Sequence, residues 1–190
     1  MFRTAGGVLS TSEALRRGVH RRDLYALRDE GELEALSRGM YRLAELPPLA
    51  EPDLVTVAVR VPKAVIALIS ALHFHGLTTE IPHEVSIALP RGTRPPRLEW
   101  PPIRVYLMSG RMFSSGIETH ERDGIPIRVY SAVKTVADCF RFRSRIGIDV
   151  GIEALRTGLA ERRFPQAEVL RAARLCRVEA VVRPYLEAMQ

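Results

Sequence analysis

The run Leu46-Pro47-Pro48-Leu49-Ala50-Glu51-Pro52 constrains this chain more than any other feature. Three prolines within six residues fit neither a helix interior nor a central strand, because proline lacks an amide proton and its φ is fixed. The run predicts a short, stiff linker over residues 47–52. It separates a small N-terminal piece, residues 1–46, from a longer remainder, residues 53–190.

The small piece is strongly patterned. Leu9-Ser10-Thr11-Ser12 supplies helix-capping side chains, and residues 12–17 follow as a short helix that Gly18 stops. Residues 20–30 predict a second helix, with Leu24 and Leu27 three apart on its buried face and Gly31 at its end. Glu32-Leu33-Glu34-Ala35-Leu36 alternates polar and apolar residues, as does Met40-Tyr41-Arg42-Leu43. Between them Ser37-Arg38-Gly39 is a turn signal. Helix, tight turn, helix and hairpin in that order predict a winged helix-turn-helix.

The remainder mixes strands with a helical last third. Residues 53–61 are rich in β-branched side chains and ambiguous, whereas 64–74 is apolar enough for one buried helix closed by Gly76. Strands are expected at 84–89, 103–108 and 125–130, with 90–102 a surface loop rich in Pro and Arg. Helices are expected at 133–142, after a cap at Ser131, at 149–163, at 165–176 with Pro165 in its first turn, and over 178–189 with a break near Pro184. The fold class is therefore α+β: an N-terminal winged helix-turn-helix, then a mixed α/β C-terminal domain ending in helices.

Composition narrows the class of function. Hydrophobic residues make up 46 % and charged residues 26 %, which excludes wholesale disorder. No apolar run approaches the roughly 18 residues of a membrane span, and the first residues lack the apolar stretch of a signal peptide. Cys139 and Cys176 stand too far apart for a metal knuckle and too few for a disulfide framework. A soluble cytoplasmic protein with reduced thiols is expected. Of the 28 basic residues only Lys63 and Lys134 are lysines, and the net charge is +6. That balance is compatible with nucleic-acid binding, but a GC-rich genome produces the same arginine excess, so position has to decide.

Position points to the second helix. In a helix-turn-helix its N-terminal residues meet base edges in the major groove. Here these are His20, Arg21 and Arg22, with Tyr25 and Arg28 further along to reach phosphate or base. Arginine suits guanine because its planar fork matches two major-groove acceptors. Arg38, on the hairpin tip, fits a narrow, electronegative minor groove, and Arg42 is expected at phosphate. Thr11 and Ser12 open the preceding helix, where backbone N–H groups suit a phosphate. Arg16 and Arg17 act there by charge alone. The acidic residues Glu30, Glu32, Glu34 and Glu45 have to face away from DNA. The plainer alternative makes these arginines an ordinary solvated helix face.

Other chemistries lack their residues. His73 and His75 are two apart, which puts them on different helix faces, and His83 and His120 have no partners nearby, so no metal site or cofactor is expected. Neither lysine follows a Glu in the spacing common in metal-dependent nucleases. Glu118, Glu121 and Asp123 cluster beside Gly124 in what reads as a loop. Ser109, Ser114 and Ser115 lie in no G-x-S-x-G, and residues 110–116 form no P-loop. An enzyme is not expected, a nuclease being the remote alternative. The other alternative is a protein-interaction module whose winged domain binds no DNA.

Three N-terminal stretches together carry a resemblance. They are Gly7-Val8-Leu9-Ser10-Thr11-Ser12-Glu13-Ala14-Leu15, Gly18-Val19-His20-Arg21-Arg22-Asp23-Leu24, and Gly31-Glu32-Leu33 through Arg38-Gly39-Met40-Tyr41-Arg42-Leu43. They resemble the winged domain of AbiEi-type antitoxins of abortive-infection, type IV toxin–antitoxin systems. Residues 69–77 followed by Pro82, then 84–90, 124–131 and 134–138 resemble that family's C-terminal antitoxin domain. The resemblance implies a bacterial regulator that binds repeats in its own promoter and counters a nucleotidyltransferase-like toxin, with no tight complex required. Winged domains of that kind begin with a helix ahead of the Gly-Gly-Val-Leu segment. Only Met1–Ala5 precede Gly6 here, which implies a first helix that is short or missing, or a start further upstream. A missing helix would weaken the small core and shift weight to the C-terminal domain as the interacting part.

Overall fold

A computed structural model describes residues 1–189, without the side chain of Ser37. The chain is α+β and forms two compact units. One unit comprises Met1–Ala64, Pro96–Pro102 and Thr119–Ile127. After a single 3-10 turn, Arg3–Ala5, it contains β1 (Val8–Ser10), α1 (Thr11–Arg16), α2 (Arg21–Asp29), β2 (Leu33–Ser37), β3 (Met40–Leu43) and α3 (Pro52–Arg60). The Ser10 hydroxyl accepts from the Glu13 amide at 3.1 Å, satisfying one of the donors that a helix start leaves free. Gly18, at φ 88°, takes the left-handed turn that ends α1 and lets α2 begin.

Strand β1 is an addition to the expected elements. It pairs with β3, which also pairs with β2, giving a three-stranded antiparallel sheet in the order β1-β3-β2. Its three residues stand where the sequence reads only as a prelude to the helix. The register sets Leu9 opposite Tyr41 and Ala35 opposite Tyr41, so side chains alternate between two faces. Leu9, Leu33 and Tyr41 join Ala14 and Leu24 in the core, with Leu27 and Leu43 packed against it. Phe2 is buried in the same cluster and Ala5 packs against it, so the 3-10 turn supplies apolar surface to this small core. The β-branched run is helical as far as Arg60, with Pro52 in the first turn of α3, where the missing amide proton costs nothing.

The second unit comprises Val65–Pro95, Ile103–Glu118 and the chain from Arg128 onward. Its elements begin with β4 (Val65–Ile66), α4 (Leu68–Phe74), β5 (Val85–Pro90), β6 (Ile103–Met108) and α5 (Arg111–Ser114). The hairpin β7 (Ile117–Arg122) and β8 (Ile125–Tyr130) follows, its residues Thr119–Ile127 counted with the first unit. Then come α6 (Ala132–Arg141), α7 (Arg143–Ile146), α8 (Ile148–Ala160), α9 (Gln166–Leu175) and α10 (Glu179–Ala188). Five strands run in the order β6-β5-β4-β8-β7. The sheet is mixed: β4 is antiparallel to β5 and parallel to β8, and β5 is parallel to β6. Helix α6 is central to the core and packs on α4, α8 and α9, burying Val136, Ala137 and Phe140.

Three local expectations are corrected. Residues 64–74 are not one helix: Val65 and Ile66 form β4, Leu68 turns the chain at φ 47°, and α4 starts there. Glu118 and Glu121 lie on strand β7, and Asp123-Gly124, both at positive φ, make its turn; the acidic cluster is a hairpin and not a loop. Pro184 lies inside a continuous α10. No described helix is long and apolar enough to cross a membrane.

Candidate nucleic-acid interface

Helix α2 carries the candidate reading face. Leu24 is fully buried and holds the opposite side of the helix to the core. Arg21, Tyr25 and Arg28 are exposed, and their spacing of four and three puts them side by side. They line one concavity of about 970 Å³, together with Thr11, Arg38 and Gly39. The Arg28 guanidinium lies 5.2 Å from the centre of the Tyr25 ring, which favours the pair by a cation–π attraction. Arg28 also donates from Nη2 to Asp29 Oδ1 at 2.6 Å, and this bond is the main cause of its raised pKa.

The wing is tied to helix α1. The Thr11 amide donates to the Gly39 carbonyl at 2.9 Å, and its hydroxyl reaches the same oxygen at 3.3 Å. Gly39 adopts φ 74°, a left-handed backbone that glycine takes without strain. Arg38 beside it is 83 % exposed along its side chain and donates to Glu99 Oε1 at 2.9 Å.

The structure thus brings Thr11, Arg21, Tyr25, Arg28 and Arg38 together. His20, Arg22, Ser12 and Arg42 do not line the concavity. His20 is the residue before α2 and Arg22 points off its reading face; both are exposed. The Ser12 hydroxyl is 3.0 Å from that of Ser10. Arg16 and Arg17 are both engaged by Glu13, whose carboxyl they hold below its ordinary range, Arg17 most of all. Arg42 is only 4 % exposed, bonds Glu34, and faces the other side of the sheet from Tyr41. The acidic residues Glu34 and Glu45 are occupied by Arg42 and Arg3.

Residues 2–44 match the family described as transcriptional regulator, AbiEi antitoxin. The matched segment contains the whole helix-turn-helix and both strands of the wing. No curated protein matches the chain. Among solved structures, the crystal structure of the RV2827C protein from Mycobacterium tuberculosis is similar in fold. The TM-score is 0.50 at 14 % identity, covering 96 % of this chain and 76 % of that one.

Beyond the matched segment, Arg60 of α3 and Arg97, Leu98, Glu99 and Trp100 line the same concavity. Sequence reasoning missed them as site residues, because they lie outside the helix-turn-helix and 97–100 reads only as surface loop. The single signal was the arginine content of 90–102. Among the described residues no group of three His, Cys, Asp or Glu side chains is placed to hold an ion. His75 Nε2 instead donates to the Tyr130 carbonyl at 2.7 Å.

Proposed function

We propose that this chain is a DNA-binding antitoxin that represses its own operon in a bacterial toxin–antitoxin system of the abortive-infection type. It acts in the cytoplasm, reads repeats in its promoter, and counters a nucleotidyltransferase-like toxin. The observation that carries the reading is the clustering of Arg21, Tyr25 and Arg28 with wing-tip Arg38 in one concave surface, inside a segment that matches regulator antitoxins.

In this reading the α2 face enters the major groove, Arg21 pairs with a guanine edge, and Arg38 reaches the minor groove. Thr11, at the start of α1, sits where a phosphate is favoured. Arg42 serves the module's own structure. The second unit carries the antitoxin role.

The test is binding of the full chain to a duplex of its own upstream promoter, against a scrambled duplex, at two salt concentrations. Preference for the promoter, weakening with salt, supports repression. Arg21→Ala is then expected to cost about 1–3 kcal/mol of specific binding. Equal binding to both duplexes overturns the repressor reading.

A further inference from the structure

The surface that holds the α2 face is completed from outside the winged module. Arg60 ends α3 and donates from Nη1 to the Arg38 carbonyl at 3.1 Å. Arg97 and Trp100 belong to the same compact unit and line the same concavity. Trp100 is 59 % exposed, which leaves its indole N–H, a donor only, available at the rim. Arg21, Arg28, Arg38, Arg60 and Arg97 share this surface with a single acid, Glu99. Among the described residues Glu99 pairs with Arg38 and Asp29, which does not line the surface, pairs with Arg28, while no carboxylate neutralises Arg60 or Arg97.

A concave surface with five guanidinium groups and one carboxylate is complementary to a row of phosphates. A protein partner would need a matching row of acidic side chains, whereas duplex DNA supplies that charge at regular spacing. We infer that the duplex contact extends past the winged module: Arg60 and Arg97 each take a backbone phosphate, Trp100 donates to a third, and Glu99 holds Arg38 until phosphate displaces its carboxylate. This rests on the reading of the unit as DNA-binding. It adds α3 and residues 97–100 to the surface, and these position the duplex without reading its sequence.

The test uses the full chain and the upstream promoter duplex, with affinity measured across a salt series. Each lost phosphate contact lowers the slope of log affinity against log salt by about 0.9, and Arg60→Ala and Arg97→Ala are each expected to do so. Arg60→Lys keeps the charge and should keep the slope, which separates phosphate contact from support of the wing. Glu99→Gln should tighten binding. Arg3→Ala removes a charge from a separate concavity of the same unit and should leave the slope unchanged. A wild-type chain that prefers its promoter while Arg60→Ala and Arg97→Ala keep the wild-type slope overturns this inference alone. A wild-type chain without preference overturns the repressor reading and this inference with it.

Discussion

Gly6 and Gly124 meet backbone to backbone, although 118 positions separate them in the sequence. A Cβ built on Gly6 lies 2.4 Å from the Gly124 carbonyl oxygen, and one built on Gly124 lies 2.8 Å from the Gly6 Cα. Both residues have positive φ. Gly124→Ala therefore meets two penalties: about 1–2 kcal/mol for a left-handed backbone, and roughly 1–3 kcal/mol for a contact that main chain cannot yield cheaply. Gly18→Ala is the control, since Gly18 has φ 88° with nothing within 4 Å of its Cβ and meets only the first. Urea denaturation should rank Gly124→Ala clearly below Gly18→Ala in stability.

That contact shows where the sequence was legible and where it was not. The Asp123-Gly124 turn is a strong hairpin signal, because two positive φ values in a row suit these two residues. It was obscured by the acidic residues around it, which drew a reading as loop. The helix-turn-helix was legible because its signals are local: the Ser10 cap, the Gly18 stop and the three-residue spacing of Leu24 and Leu27. Strand β1 was not, since its pairing partner lies some thirty residues away. Residues 64–74 were misread because an unbroken apolar run has no period, and only its β-branched start separates strand from helix. The 21/25/28 face follows from helix geometry alone. Its neighbours Arg60 and Arg97 reach the concavity by tertiary folding, which no spacing announces.

In the second unit Lys134 Nζ lies 2.5 Å from Asp138 Oδ2, one helical turn apart, with both side chains buried. The ammonium also sits 4.2 Å from the centre of the Tyr130 ring, and Cys176 Sγ donates to Asp138 Oδ1 at 3.2 Å. Burial raises the Asp138 carboxyl above its ordinary range, and Lys134 opposes that rise. Lys134→Met leaves a buried carboxylate without its counter-charge and is expected to cost about 3–5 kcal/mol. The double variant Lys134→Met/Asp138→Leu removes both charges and should recover much of the loss. A double variant no more stable than Lys134→Met would show that the pair holds this core together as a net attraction.

Both thiols are buried, and burial is the first cause of their raised pKa values: Cys139 well above the ordinary range, Cys176 pushed up to about 12. Unfolded thiols titrate near about 8.5. Above that pH the unfolded chain holds fewer protons than the native one, so stability falls as pH rises. The loss should begin near about pH 8.5 and reach up to about 1.4 kcal/mol per pH unit for each thiol, until the native thiols ionise in turn. Urea midpoints at pH 7, 8, 9 and 10 measure the slope, and Cys139→Ala should remove about half of it between pH 8.5 and 10. A thiol-reactive dye should label neither cysteine at pH 8 until the chain is unfolded.

Arg42 tests whether charge near the wing is enough to bind DNA. Its side chain is on the sheet face opposite the α2 core, bonded to Glu34, and its Nε is buried without a hydrogen-bond partner among the described residues. A guanidinium held this way cannot reach a phosphate without leaving its carboxylate, and leaving it exposes nothing that DNA on the α2 side would meet. Arg42→Met keeps most of the aliphatic packing and removes the orphaned Nε together with the charge. The stability change should be small, within about 1–2 kcal/mol, because the buried donor that is lost was already unsatisfied. The slope of promoter affinity against salt should stay at the wild-type value, whereas Arg38→Ala should lower it by about 0.9. Two arginines four residues apart on one wing would then differ in function because Arg38 sits on the turn that joins the two strands and lines the concavity, whereas Arg42 lies within β3 on the face opposite Tyr41. A fall in the Arg42→Met slope equal to that of Arg38→Ala would mean that DNA approaches both faces of the sheet.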